Sequence, residues 1–180
     1  MNDTLQIATF AGGCFWCTEA VFKNLEGVER VVSGYTGGSI KNPAYREICS
    51  GRTGHAEAIQ IFYDEKLIAY KELLEIFFAT HDPTTLNRQG NDVGTQYRSA
   101  IFYNSDLQKQ EAIDFINYLE KEKTFNNSIT TEIVELGVFY NAEEYHQDYY
   151  HLNKEQSYCQ YIINPKLKKL KENYAHKLKK

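Results

Sequence analysis

Nowhere in the 180 residues does an unbroken apolar run approach the roughly 20 that a membrane-spanning helix needs. The first residues, Met1-Asn2-Asp3-Thr4, lack the basic segment and apolar stretch of a secretion signal. Together these absences predict a cytoplasmic protein with no membrane partner. There is also no internal repeat, no linker and no low-complexity block, so one domain is expected over 1–180: a core over 1–164 and a basic terminal helix over 165–180. Cysteine is scarce, with only Cys14, Cys17, Cys49 and Cys159. Four widely spread thiols do not make a disulfide-dense secreted scaffold. Cys14 and Cys17 have C-x-x-C spacing, but no second such pair and no H-x-x-x-H completes a four-ligand metal site. No metal or cofactor is therefore expected. In a reducing compartment thiols of this kind are more often catalytic than structural.

Basic charge is thin except at one end. The net charge is −4, yet 165–180 holds seven lysines against Glu172 alone, or +6, which leaves −10 for the rest. The acidic body argues against nucleic acid as a partner. The tail reads as a solvated helix docked by Leu167, Leu170 and Tyr174; contact with an acidic surface is the alternative.

What the chain does have is Gly12-Gly13-Cys14-Phe15-Trp16-Cys17, between an apolar stretch and a helical pattern. A thiol at the first turn of a helix meets free N–H groups and the positive end of the dipole, which predicts a lowered pKa and thiolate character. The two glycines permit a tight turn and close approach of another molecule. The two aromatics after Cys14 can wall an apolar pocket beside its sulfur.

Hydrophobic periodicity predicts strands at 5–11, 28–35, 57–63, 99–103 and 130–136, and helices at 14–25, 70–80, 106–123 and 142–150. Gly27 is the expected cap of the first helix. The stretches 39–54 and 84–96 read as long polar loops, a length that tends to be functional, and 156–164 as irregular or short extended chain. The order predicts an α+β sandwich: a mainly antiparallel, mixed sheet on a ferredoxin-like core, with helices packed over it.

Gly12-Gly13-Cys14-Phe15-Trp16, Gly34-Tyr35-Thr36-Gly37-Gly38, Asn42-Pro43-Ala44-Tyr45, Gly54-His55-Ala56-Glu57, the run from Gln89 to Ser99 and Tyr158-Cys159 together resemble the A-type peptide methionine sulfoxide reductases. The resemblance implies reduction of the S epimer of methionine sulfoxide, free or in oxidised proteins, which reverses a common oxidative lesion. It implies Cys14 as nucleophile and Glu57 as acid, which partial desolvation at the start of an apolar strand would keep protonated. Tyr45 and Tyr97 match phenolic donors to the sulfoxide oxygen, and Asp92 an acid that orders the site. Phe15 and Trp16 match the methyl pocket, with Tyr35 and His146 as further substrate-binding candidates. Cys159 matches a resolving cysteine that condenses with a Cys14 sulfenic acid, thioredoxin or dithiothreitol then reducing the disulfide. A monomer is implied as well. Cys17, one turn from Cys14, is either a packed helix residue or a second candidate resolver, and Cys49 reads as a bystander.

Rival readings remain at this point. Cys14 and Cys17 alone suit a thioredoxin-like disulfide exchanger. Cys14 with His55 or His146 as base suits a cysteine hydrolase. The lysine-rich helix suits a redox-sensing interaction protein without turnover.

Overall fold

The computed structural model describes residues 4–180; Met1–Asp3, the start of the segment compared above with a secretion signal, lie outside the described residues. In chain order the elements are β1 (Gln6–Gly12), α1 (Phe15–Lys23), β2 (Val28–Thr36), α2 (Tyr45–Cys49), β3 (Ala56–Tyr63), α3 (Tyr70–Thr80), the short β4 (Arg88–Gln89) and β5 (Asp92–Val93), β6 (Ser99–Tyr103), α4 (Asp106–Lys121), β7 (Glu132–Glu135), β8 (Tyr140–Asn141), α5 (Tyr149–Leu152) and α6 (Asn164–Tyr174). The main sheet has the order β7-β6-β1-β3-β2-β8. All its pairings are antiparallel except β6 with β7, which α4 connects. Strands β1, β2, β3 and β6 with α1 and α3 form the ferredoxin-like β-α-β-β-α-β core expected from the element order.

The alternation of each strand gives the sheet two unlike faces. Ala8, Phe10, Ile59, Ile61 and Ile101 belong to the large core that includes residues of α1, α3, α4 and α6. There Phe10 stacks on Phe77 of α3 with centroids 4.8 Å apart. Ala11, Ala56, Ala58, Ala100 and Phe102 form the other cluster, with Leu136 and Phe139 against it. β3 is buried along almost its whole length because it is central. In α4, Ser105 accepts a hydrogen bond from the Gln108 N–H and caps the helix.

Five places differ from the pattern-based reading. The loop 39–54 contains α2, which Glu47 caps through the Ala44 N–H, and the loop 84–96 contains the β4–β5 hairpin. In place of a helix over 142–150 there is a tight turn at Glu144–His146 followed by α5, because Asp148 takes a left-handed φ of 56° and interrupts the chain between them. The stretch 156–164 is helical: from Ser157 the helix runs into α6 through one wide, π-type turn at Cys159–Ile163. Also, α1 ends at Lys23 with Asn24 as its cap, and Gly27, with φ of 95°, turns the chain into β2 rather than capping the helix.

The terminal helix is docked as its apolar residues predict. Leu170 is buried, Leu167, Tyr174 and Leu178 pack on the core, and Lys177 lies 3.6 Å from Glu72.

Candidate active site

The site lies where β1 ends, β3 begins and α1 starts. Gly13, at φ of 93°, turns the chain out of β1. A Cβ there would stand 2.6 Å from Gln89 Cγ, so only glycine lets this side chain pack against the turn. Gln89 in turn bonds both the N–H and the carbonyl of Asp82, at 3.0 and 2.9 Å. The hairpin that carries Asp92 is thereby fastened beside the turn that carries Cys14.

Cys14 is the residue before the first turn of α1, and its carbonyl accepts the Cys17 N–H at 3.0 Å. The expected lowering of its pKa is not found. Burial pushes the thiol well up; its hydrogen bond to Cys17 and the Glu57 carboxyl add to this, and the backbone bond at Trp16 opposes it only weakly. Desolvation outweighs the helix end because Cys14 is only 8 % exposed. The bond from Cys14 pulls Cys17 the other way, to about 7, with Lys166 and Tyr158 helping and burial opposing.

Glu57 pairs across from Tyr35 in the sheet and is 1 % exposed. Its Oε1 accepts the Phe15 N–H, one of the free donors of the α1 start, at 3.2 Å. Burial raises its pKa to about 8, the Phe15 bond opposes this, and Asp92 and Cys17 add to it. At neutral pH the carboxyl holds its proton and can donate it. Burial pushes the Tyr45 and Tyr97 phenols up, Glu57 adding to this when it ionises, so both are neutral donors. Tyr97 is also coupled to Cys14. Cys49, the expected bystander, is exposed on α2 and adds to the rise at Tyr45.

An aromatic cluster covers the other side. Trp16 Nε1 donates to His146 Nδ1 at 3.0 Å. The His146 ring lies 5.2 Å from Phe15 and 4.2 Å from Tyr45. Burial lowers the His146 pKa, and Nε2 is buried without a hydrogen-bond partner. Trp16 also stacks on Tyr149 of α5, with centroids 3.7 Å apart and planes at 7°. Tyr35 corrects an expectation: it is fully buried behind Phe15, its hydroxyl is donated to Glu143, and it presents no surface to a substrate. It supports the pocket from behind.

Several contributors were not among the candidates. Glu143 accepts the Tyr35 hydroxyl and the Tyr45 N–H, both at 2.9 Å, and so ties α2 to β2. The Tyr158 hydroxyl lies 3.5 Å from Cys17 Sγ and donates to Asp92 Oδ2 at 2.8 Å. Tyr149 fills one face of Trp16. Each of these contacts joins residues 66 or more positions apart, beyond the reach of local periodicity.

Cys159 is buried at the wide turn and is electrostatically coupled to Cys17. Among the described residues all four cysteines are free. His55 is unsuited to act as a hydrolytic base, because Nδ1 accepts the Gly38 N–H at 3.0 Å and Nε2 faces the Ile40 carbonyl at 2.6 Å.

A ferredoxin-like sheet with a thiol pair at a helix start and a protonated carboxyl beside it defines a cysteine-dependent oxidoreductase. The family model described as peptide methionine sulfoxide reductase matches residues 6–178, and the chain belongs to that family. It is 54 % identical over 172 residues to the peptide methionine sulfoxide reductase MsrA of Deinococcus radiodurans, covering 96 % of this chain and 84 % of that one. The structure of Mxr1 from Saccharomyces cerevisiae in reduced form superposes with a TM-score of 0.82 at 36 % identity, over 88 % of this chain and 91 % of that one. Mxr1 in complex with Trx2 superposes with a TM-score of 0.59 at 29 % identity, over 83 % and 87 %. The protein is an oxidoreductase that reduces methionine sulfoxide. No helix of the described residues is long and apolar enough to cross a membrane.

Proposed function

We propose that Cys14 attacks the sulfur of methionine-S-sulfoxide, free or in oxidised proteins, while Glu57 delivers a proton to the departing oxygen. The observation that carries this reading is the Glu57 carboxyl, buried and protonated at neutral pH, at the same helix start as the Cys14 thiol. A sulfoxide sulfur becomes electrophilic only when its oxygen is protonated or strongly hydrogen-bonded, and Tyr45 and Tyr97 supply two further neutral donors. Trp16, partly exposed, offers the aromatic surface for the S-methyl group; Phe15 and His146, expected to touch substrate, are as buried as Tyr35 and back it from behind. The oxygen leaves on Cys14, as a sulfenic acid, with methionine as the product: sulfur of the substrate is reduced by two electrons and sulfur of Cys14 oxidised by two.

Cys17 is the thiol in contact with Cys14, and it takes the sulfenic acid first, forming a Cys14–Cys17 disulfide and water. Cys159, coupled to Cys17, attacks next and passes the disulfide toward the surface. The resolver role implied for Cys159 becomes the second step of this relay. The yeast complex with Trx2 supports a thioredoxin as the final reductant, with dithiothreitol as its substitute. The protein's own thiols carry the electrons, so no cofactor is needed. Four free cysteines suit a monomer working in the reducing cytoplasm, in protein repair after oxidative stress.

Racemic methionine sulfoxide with dithiothreitol tests the reaction: the S epimer is expected to disappear and the R epimer to remain, and consumption of the R epimer would overturn the assignment. For the relay, Cys159→Ser is expected to form a Cys14–Cys17 disulfide after one turnover and to recycle slowly with thioredoxin. Cys17→Ser is expected to accumulate a Cys14 sulfenic acid, trapped with dimedone. A Cys14–Cys159 disulfide forming in Cys17→Ser as fast as disulfide forms in the wild type would remove Cys17 from the path.

A further inference from the structure

Four polar side chains stand in line beside the site. The Cys14 and Cys17 thiols stand one helical turn apart, the Cys17 N–H bonded to the Cys14 carbonyl at 3.0 Å, and the two influence each other's ionisation. The Tyr158 hydroxyl lies 3.5 Å from Cys17 Sγ, and either atom can donate. The same hydroxyl donates to Asp92 Oδ2 at 2.8 Å. Three separate parts of the chain build this line. α1 holds the thiols, and the β4–β5 hairpin holds Asp92 opposite Gln89. The helical segment before α6 holds Tyr158, whose ring stands edge-on to Trp16 at 5.7 Å.

Cys14 must lose a proton before it can attack, and its sulfur is nearly closed to water. Glu57, the carboxyl beside it, keeps its own proton at neutral pH and so cannot be the acceptor. Asp92 is half-buried, touches the far end of the line and borders solvent.

We propose that this line carries the Cys14 proton to Asp92, with Tyr158 as its connecting residue. The inference rests on Cys14 being the nucleophile. The Cys14 S–H proton passes to the Cys17 sulfur as the Cys17 proton passes to the Tyr158 oxygen and the Tyr158 proton to Asp92 Oδ2. A Cys14 thiol and an Asp92 carboxylate become a Cys14 thiolate and an Asp92 carboxylic acid. Cys17 and Tyr158 each gain one proton and lose one, and no electron moves. From Asp92 the proton leaves to water. The thiolate form is favoured within the line by Lys166 of α6, which faces Cys17, and opposed by Asp92 itself. The remaining titratable groups facing the line are Glu57 on β3, Tyr97, Tyr149 of α5 and Cys159.

Tyr158 thereby acquires a defined task in the reduction step, separate from the recycling done by its neighbour Cys159. The test is the rate of single-turnover methionine formation from methionine sulfoxide across the neutral pH range. The variants are Tyr158→Phe, Asp92→Asn, the two combined, and Cys14→Ser, each with its melting temperature. Tyr158→Phe keeps the ring against Trp16 and breaks the line. It is expected to slow the step by about 10- to 10²-fold and to displace the acidic limb of the pH profile upward, with the melting temperature unchanged. Asp92→Asn is expected to slow the step to the same extent, and the double variant to be no slower than the slower single one, because a broken line cannot be broken twice.

A Tyr158→Phe rate and profile within about twofold of wild type overturns the relay, and so do penalties that multiply in the double variant. If Tyr158→Phe proves unfolded, the single-turnover rate of Asp92→Asn alone decides, a rate within about twofold of wild type overturning the relay. With Cys14→Ser inactive, these outcomes leave the nucleophile in place and remove only the relay. Turnover by Cys14→Ser removes both.

Discussion

Cys14→Ser is expected to form no measurable methionine, in single or in multiple turnover, while remaining folded. The substitution keeps the shape of the site, the Glu57 bond to Phe15 and the aromatic cluster. What it removes is a soft sulfur that can become a thiolate and then accept an oxygen atom. A serine hydroxyl ionises far too reluctantly to attack, and it has no counterpart of the sulfenic acid. The pH behaviour of the thiol sharpens this expectation. Burial raises the Cys14 pKa in the free protein, so an alkylating reagent should modify Cys14 slowly at neutral pH. Chromatographic detection of methionine by Cys14→Ser at a rate comparable to wild type would exclude Cys14 as the nucleophile.

The second large effect is expected at Glu57. Glu57→Gln retains the size of the side chain and an acceptor for the Phe15 N–H, but it has no acidic proton to give. Loss of a positioned general acid slows a reaction by about 10²- to 10⁴-fold, and the effect should fall on the single-turnover reduction step rather than on recycling. The sign of the pH dependence follows from the raised pKa of about 8. Below that value the carboxyl is protonated and the step proceeds; above it the rate should decline, and Glu57→Gln should lack this alkaline limb. The same shift bears on stability. A carboxyl whose pKa is raised by folding contributes stability that is fully present below its unfolded value of about 4.3 and is lost as pH rises through about 8. Glu57→Gln should therefore lose less stability than wild type on going to alkaline pH. An unchanged single-turnover rate, or an alkaline limb that survives the substitution, would show that another group supplies the proton.

The elements that position these two residues were legible from local pattern. β3 and β6 are short, apolar and bounded by polar segments, and α3 begins and ends where its apolar stripe and the Asp82-Pro83 pair place it. Gly12-Gly13 marks the turn that aims Cys14, and the apolar run after Glu57 announces its burial. The acidity of Cys14 was misjudged for a physical reason: position at a helix start is visible in the order of residues, whereas the degree of burial depends on distant segments folding over the thiol. The region from Tyr140 to Asn164 was misread for a related reason. Its backbone is set by long-range bonds, such as Ser33 with Gln147 and Lys23 with Asp148, and not by its own periodicity. The wide turn at Cys159 adds a residue to the helix and obscures the repeat there. Glu143 carries no local signal, and Tyr158 shows only as the neighbour of Cys159, since the partners of both are brought close only by the fold.

The most direct measurement is a stoichiometric turnover without reductant. Reduced protein is mixed with excess methionine-S-sulfoxide and quenched, released methionine is counted, and every cysteine is mapped by mass spectrometry. About two methionines per chain are expected, the first leaving a disulfide that passes from Cys14–Cys17 to Cys17–Cys159 and the second leaving Cys14 as a sulfenic acid, with Cys49 unmodified. Methionine formed with Cys14 still a free thiol and no disulfide anywhere in the chain, or continuing release without any reductant, would contradict attack by Cys14.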